Sequence, residues 1–234
     1  YLPTYGEFYE KRWFASSQDL HPTEIRFAEK KIMVSAAPQV FRTFDDVRFG
    51  IEICEDVWAP VPPSNNLTMA GADIILNLSA SDELIGKHKY LRSLIAQQSA
   101  RTICGYVYSS CGFGESTQDV VYGGNAMIFE NGIMLAEGAR FSFQPQLQTA
   151  QIDVERLRTE RRANSTFKTA QRIGHARVLD AKLPLEQHPF KLERAIDPHP
   201  FIPTDNDMAE TCEEILNIQT AGLAKRLVHT NCQH

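Results

Sequence analysis

The chain has 234 residues, a formal net charge of −5, 43% hydrophobic residues and 23% charged residues. That is the composition of an ordinary soluble globular protein with room for one large domain, or one domain and part of another. The charge balance gives no basic footprint for nucleic acid, and no apolar run reaches the ~18 to 20 residues a membrane helix needs. Five cysteines without paired metal-type spacing fit the reduced thiols of a cytoplasmic protein better than a disulfide framework.

Tyr1 to Phe14 is aromatic for a chain terminus and interleaves tyrosines with Glu7 and Glu10, in the manner of a polar pocket lining. Packing in the core is the competing reading for Phe8 and Trp13. Residues 31–36 and 47–53 read as strands, and residues 65–72 as a short helix opened by the capping types Ser64 and Asn65. Residues 73–78 form a nearly continuous apolar run, expected to be a strand buried on both faces. A helix follows over residues 84–101, with Leu84, Leu91, Leu94, Ile95 and Ala96 as its stripe. Residues 103–109 are a further buried strand, which puts Cys104 in the core. Glu130-Asn131-Gly132 between two apolar runs predicts a hairpin. Residues 147–152 read as another strand, and Asp153 as the cap of a charged helix reaching Arg162.

From residue 163 to 206 the chain is polar and carries five X-Pro pairs, beginning at Leu183-Pro184 and ending at Ile202-Pro203. Such a stretch predicts an extended, semi-rigid tether. Residues 207–227 return to a helical pattern that includes Cys212; Cys232 lies near the C-terminus. The absence of an initiator methionine, and a chain that stops just after a helix, suggest an excerpt of a longer polypeptide.

Chemistry is expected first at Cys54. The strand with Val47, Phe49, Ile51 and Ile53 at alternate positions ends in this thiol, where open α/β layers put their active groups. Glu52, Glu55 and Asp56 surround it and disfavour a thiolate, so Cys54 is either an inert thiol or is activated by a cation and a base from elsewhere. Ser79-Ala80-Ser81 followed by Lys87 offers a polar and cationic clamp for a carboxylate; equally, Ser81 can serve as a helix cap. Gly112 to Asp119 has two glycines but no P-loop lysine, and reads as a loop over a pocket.

Leu-Pro-x-Tyr-x-Glu-Phe-Tyr-Glu, Ile-Cys-Glu-Asp-x-Trp, Asn-Leu-Ser-Ala-Ser, Gly-Glu-Ser-Thr and Gly-Gly-Asn-Ala together resemble the amidase domain of glutamine-dependent NAD synthetases, of the nitrilase or carbon-nitrogen hydrolase superfamily. The resemblance implies an α-β-β-α sandwich, incomplete at its N-terminus, over residues 1–162. It implies an interdomain tether over 163–206 and the start of an ATP-pyrophosphatase domain over 207–234. Cys54 would be the nucleophile that attacks the side-chain amide of L-glutamine. Tyr5, Ser81 and Lys87 would bind glutamine, with Glu55 and Phe8 lining the same pocket.

The family's triad glutamate and lysine would lie before Tyr1, so the chain alone is expected to be inactive; Glu7, Lys11 and Glu52 do not match those positions. No cofactor is expected here, ATP and Mg2+ belonging to the absent synthetase domain. That covalently linked domain would receive the ammonia, within a homo-oligomer. Two other readings stay open: a stand-alone nitrilase-type amidase acting on another amide, and a non-catalytic scaffold.

Overall fold

The computed structural model describes residues 1–17, 20–115, 120–183, 191–199, 202 and 208–231. The chain divides into two units, Tyr1–Lys191 and Leu192–His234. In the first unit, β1 (Thr23–Phe27) and β2 (Lys30–Val34) pair antiparallel as a ribbon. The main sheet takes β3 (Gln39–Arg42), β4 (Arg48–Ile53), β5 (Ile74–Ser79), β6 (Gly105–Ser110), β7 (Ala126–Glu130), β8 (Ile133–Glu137) and β9 (Arg177–Asp180). Its strand order is β8-β7-β6-β5-β4-β3-β9. The centre, β4-β5-β6, is parallel, and β7, β8 and β3 add antiparallel. Parallel neighbours need crossover connections. Here these are α1 (Pro63–Met69) and α2 (Lys87–Thr102).

Strict alternation along the strands separates two faces. Gly50, Glu52, Ile75, Asn77, Tyr106 and Tyr108 are buried on one face, where Leu67 of α1 and Leu91 and Ile95 of α2 complete the core. Full burial of each such aliphatic side chain stabilises by roughly 1.5–3 kcal/mol. The opposite face carries Ile51, Ile53 and Leu78, which are 42%, 63% and 55% exposed. Residues 73–78 therefore form a half-covered strand, and not one buried on both faces. Among the described residues the expected four-layer sandwich is represented by this one sheet and one helical layer.

Gly50 fixes how closely α1 approaches. A Cβ there would meet Leu67 Cδ1 at 2.9 Å and Ile75 Cδ1 at 3.3 Å. The α1 helix begins differently from expectation: Pro63 stands at its first position, and Ser64 lies inside the helix. The Ser64 amide donates to Glu52 Oε2 at 2.8 Å, so a buried strand carboxylate satisfies the helix start. The α2 helix starts at Lys87 with Gly86 at its cap, leaving Leu84 and Ile85 before it and exposed. Asn131 and Gly132 both have positive φ, 47° and 85°, and turn the β7–β8 hairpin as their sequence predicts.

Asp153 caps α3 (Val154–Ala163), its Oδ1 accepting from the Arg156 amide at 2.9 Å. The expected strand over residues 147–152 is not formed. Ile152 packs instead against Ile103, Leu157 and Phe167. The extended path predicted from residue 163 also differs. Asn164 accepts from the Phe167 amide at 2.9 Å and caps α4 (Ser165–Ala170), and β9 then joins the sheet parallel to β3. Residues 184–190, 200, 201 and 203–207, with most of the prolines of the predicted tether, lie outside the described residues, as do Cys232 and Ser116 to Asp119. In the second unit, α5 (Met208–His229) matches the predicted helix and has no buried residue. Among the described residues no helix is long and apolar enough to cross a membrane.

Candidate functional site

The parallel strands deliver three adjacent ends to one place. β4 ends at Cys54, β5 runs out through Ser79 to Ser81, and β6 ends at Ser110 and Cys111. All line a single cavity of about 1260 Å3. Open parallel sheets place ligands outside the carboxyl ends of their strands for this geometric reason. Part of the wall comes from the N-terminal segment, through Tyr1, Leu2, Pro3, Tyr5, Phe8 and Glu10.

Cys54 opens a short 3₁₀ turn, Cys54–Trp58, with φ of +45°, in the left-handed region that residues with a side chain rarely adopt. The turn is locked from below. The Ile53 amide donates to Asp56 Oδ2 at 2.8 Å, so this carboxylate holds the backbone that presents the thiol. Glu52 points to the other side of the sheet. It is 1% exposed, accepts from Tyr106 Oη and the Ser64 amide, and burial raises its carboxyl above the ordinary range. Of the three carboxylates read beside Cys54, one is therefore in the core and one is a backbone clamp. Glu55 and Asp56 both line the cavity with the thiol, and of the two Glu55 is the one that does not hold the backbone of the turn.

Tyr5 and Phe8 form an edge-on aromatic pair, with ring centroids 6.0 Å apart. Tyr5 Oη donates to Glu55 Oε1 at 2.8 Å. Burial and the neighbouring Glu55 charge push the Tyr5 hydroxyl up to about 12, so it remains a neutral donor in ordinary buffers. Ser81 is 5% exposed and does not cap a helix, because the cap of α2 is Gly86, five residues later. Its amide donates to Ser110 Oγ at 3.3 Å. Lys87 Nζ contacts the Asp82 carboxylate and its carbonyl oxygen, and lies 5.4 Å above the Trp58 ring. The cavity thus brings together all six predicted residues: Cys54, Tyr5, Ser81, Lys87, Glu55 and Phe8.

Two further groups stand in this wall, Glu10, which the sequence offered with Glu7 only as general pocket lining, and Cys111, which it did not single out. Glu10 Oε2 is buried without a hydrogen-bond partner. An orphan carboxylate oxygen is costly to bury and is a ready acceptor for an incoming donor. The only signal in the sequence was its place in the aromatic N-terminal stretch. Cys111 is the second thiol of the cavity, and burial pushes it up to about 11. Trp13, read as a candidate core residue, is 69% exposed. No group of three or more potential metal ligands occurs among the described residues.

The fold and site define an α/β protein that places a thiol on a left-handed turn at the end of a parallel strand, facing a cavity with carboxylates and a lysine. Residues 5–162 match the carbon-nitrogen hydrolase family, and the chain belongs to that family. It is 37% identical over 241 residues to the glutamine-dependent NAD(+) synthetase of Mycobacterium leprae (strain TN), an alignment that takes in 97% of this chain and 34% of that protein. The chain spans about a third of the length of the curated relatives it matches.

Among solved structures, a glutamine-dependent NAD(+) synthetase from Cytophaga hutchinsonii superposes with a TM-score of 0.52 at 29% identity, over 62% of this chain and 22% of that one. A carbon-nitrogen hydrolase from Helicobacter pylori G27 gives a TM-score of 0.55 at 17% identity, over 72% of this chain and 55% of that one, a likeness of fold alone.

Proposed function

We propose that the chain is the glutaminase portion of a glutamine-hydrolysing NAD synthetase, with Cys54 as its nucleophile. The supporting observation is the meeting of Cys54, Tyr5, Ser81 and Lys87 in one cavity, in a chain that aligns over 97% of its length with a glutamine-dependent synthetase. In this reading the Cys54 sulfur attacks the side-chain amide carbon of L-glutamine. The tetrahedral adduct collapses with loss of ammonia, which takes up a proton as it leaves. Water then attacks the resulting thioester, giving glutamate and regenerating the thiol.

The remaining residues read the amino-acid end of the substrate. Lys87 offers its ammonium to the α-carboxylate, as a point charge without the bidentate geometry of arginine. Ser81 donates beside it, and Glu55, oriented by Tyr5 Oη, faces the α-ammonium. The Phe8 ring packs along the methylene stem. Glu10 Oε2 accepts from the amide NH2 or from a lysine ammonium entering the cavity, either of which would satisfy its orphan oxygen. The released ammonia would pass to a covalently linked synthetase domain, which would use ATP and Mg2+ to amidate nicotinic acid adenine dinucleotide within a homo-oligomer.

Competition separates this reading from an amidase acting on another substrate. L-Glutamine should protect Cys54 from alkylation at concentrations at least about 10-fold lower than propionamide, which lacks the groups Lys87 and Glu55 would hold. Equal protection by both amides would reject the glutamine assignment.

A further inference from the structure

At the other end of β4 and β5 lies a second, open cavity of about 290 Å3, lined where Arg48 and Asp73 enter the sheet and by residues of α3 and α4. A six-residue strand at ~3.3 Å per residue separates the two cavities by roughly 17 Å. The lining is unusual in its charge, with five cationic side chains and two carboxylates.

Both carboxylates are already engaged. Asp73 accepts from Arg158 Nε at 3.0 Å and Nη2 at 2.7 Å, and its Oδ2 also takes the Arg48 amide at 2.9 Å. Asp46 Oδ1 accepts from the Arg48 guanidinium at 3.1 and 3.2 Å. Three cations are left facing the same space with no salt bridge among the described residues. Arg161, 6% exposed, donates only to the carbonyl oxygens of Ile103 and Thr102. Arg162 donates to the hydroxyl of Thr159, and Lys168 has no partner among the described residues. Burial lowers the affinity of Arg161 for its proton, and the nearby Asp73 charge offsets this only in part.

We propose that this second cavity is a binding site for a small phosphate-class oxyanion, with Arg161, Arg162 and Lys168 as its cations. The volume exceeds the ~150 Å3 that holds benzene in an engineered cavity and leaves room for one or two phosphoryl groups. Guanidinium forks suit phosphate oxygens, and the lysine supplies a mobile point charge at the rim. A bound dianion would offset the excess positive charge of the lining and tie α3 and α4 to the base of β4 and β5.

Titration calorimetry of the full chain with inorganic pyrophosphate, at constant ionic strength, is the direct test. One saturable site is expected. The double variant Arg162→Gln/Lys168→Gln should weaken it by at least about 10-fold, the loss of charge-assisted contacts. Both side chains are exposed, so the variant keeps its fold, and an unchanged far-UV spectrum checks that. Orthophosphate and a nucleoside diphosphate run in parallel; whichever binds more tightly than pyrophosphate identifies the source of the phosphate group. Cys54→Ala should leave pyrophosphate binding unchanged, which keeps this site separate from the glutamine reading. No saturable binding, or equal affinity in the double variant, would overturn the proposal.

Discussion

Lys87 is held from two sides, by Asp82 and by the face of Trp58, and so presents its ammonium to the cavity at little further entropic cost. Removing it should weaken glutamine binding by about 10-fold, the usual scale for one charge-assisted contact, with far less effect on the rate of acylation. Calorimetry on Lys87→Ala measures this directly; an unchanged dissociation constant would return Lys87 to a purely structural pairing with Asp82.

The thiols give an independent prediction. Burial pushes Cys104 up to about 11, and Cys111 likewise to about 11. At pH 8 only about one in a thousand molecules carries a thiolate at either position. Iodoacetamide at that pH should modify exposed Cys212 well before Cys104, as read by peptide mass mapping. Comparable rates at the two would contradict the burial argument.

At the scale of elements, Gly50 and Asp153 carry identifiable energies. Gly50→Ala forces a methyl against Leu67 and should cost about 1–3 kcal/mol in urea unfolding. Asp153→Ala removes the α3 cap and should cost about 0.5–2 kcal/mol. Both positions also show why some elements were legible and others were not. Asp153 and the Asn131-Gly132 turn act through their own backbone, so local chemistry predicts them. β4 follows from alternation, and the hairpin strands from the apolar runs that flank Asn131-Gly132. β9 does not, because Arg177–Asp180 becomes a strand only by pairing with β3, more than a hundred residues earlier. Residues 147–152 have a strand-like pattern, yet Ile152 packs on Leu157 and Phe167 without joining the sheet. The start of α2 was misplaced because Leu84 and Ile85 look like a helix stripe but stay exposed before Gly86.

For the molecule as a whole, the site was legible to the extent that strand ends announce themselves: Cys54, Ser81 and Lys87 each sit just past or near one. Which carboxylates face the thiol was not legible. That depends on the pleat, which sends Glu52 into the core, and on the 3₁₀ turn, which commits Asp56 to the Ile53 amide. Glu10 was legible as pocket lining beside Glu7, but not that its Oε2 is buried and without a hydrogen-bond partner among the described residues. The same core predicts alkaline behaviour. Burial raises Tyr108 to about 12 and Tyr106 well above its ordinary 10.0. The folded state holds these protons longer than the unfolded chain. Their contribution is therefore complete below about pH 10; that of Tyr108 is lost as pH rises through about 12, and that of Tyr106 is lost in the same direction. Tyrosinate absorbance should show both ionising together with unfolding, and ionisation of all seven tyrosines before any loss of far-UV signal would contradict it.

The central claim is that Cys54 is a thiol built to attack glutamine, and adduct mapping tests it most directly. The protein is treated with a diazoketone analogue of glutamine, with and without excess L-glutamine, then digested and analysed by mass spectrometry. One adduct at Cys54, suppressed by L-glutamine and weakened by Lys87→Ala, is the predicted result; labelling at Cys104 or Cys111 instead, or labelling of Cys54 that L-glutamine does not slow, would contradict it.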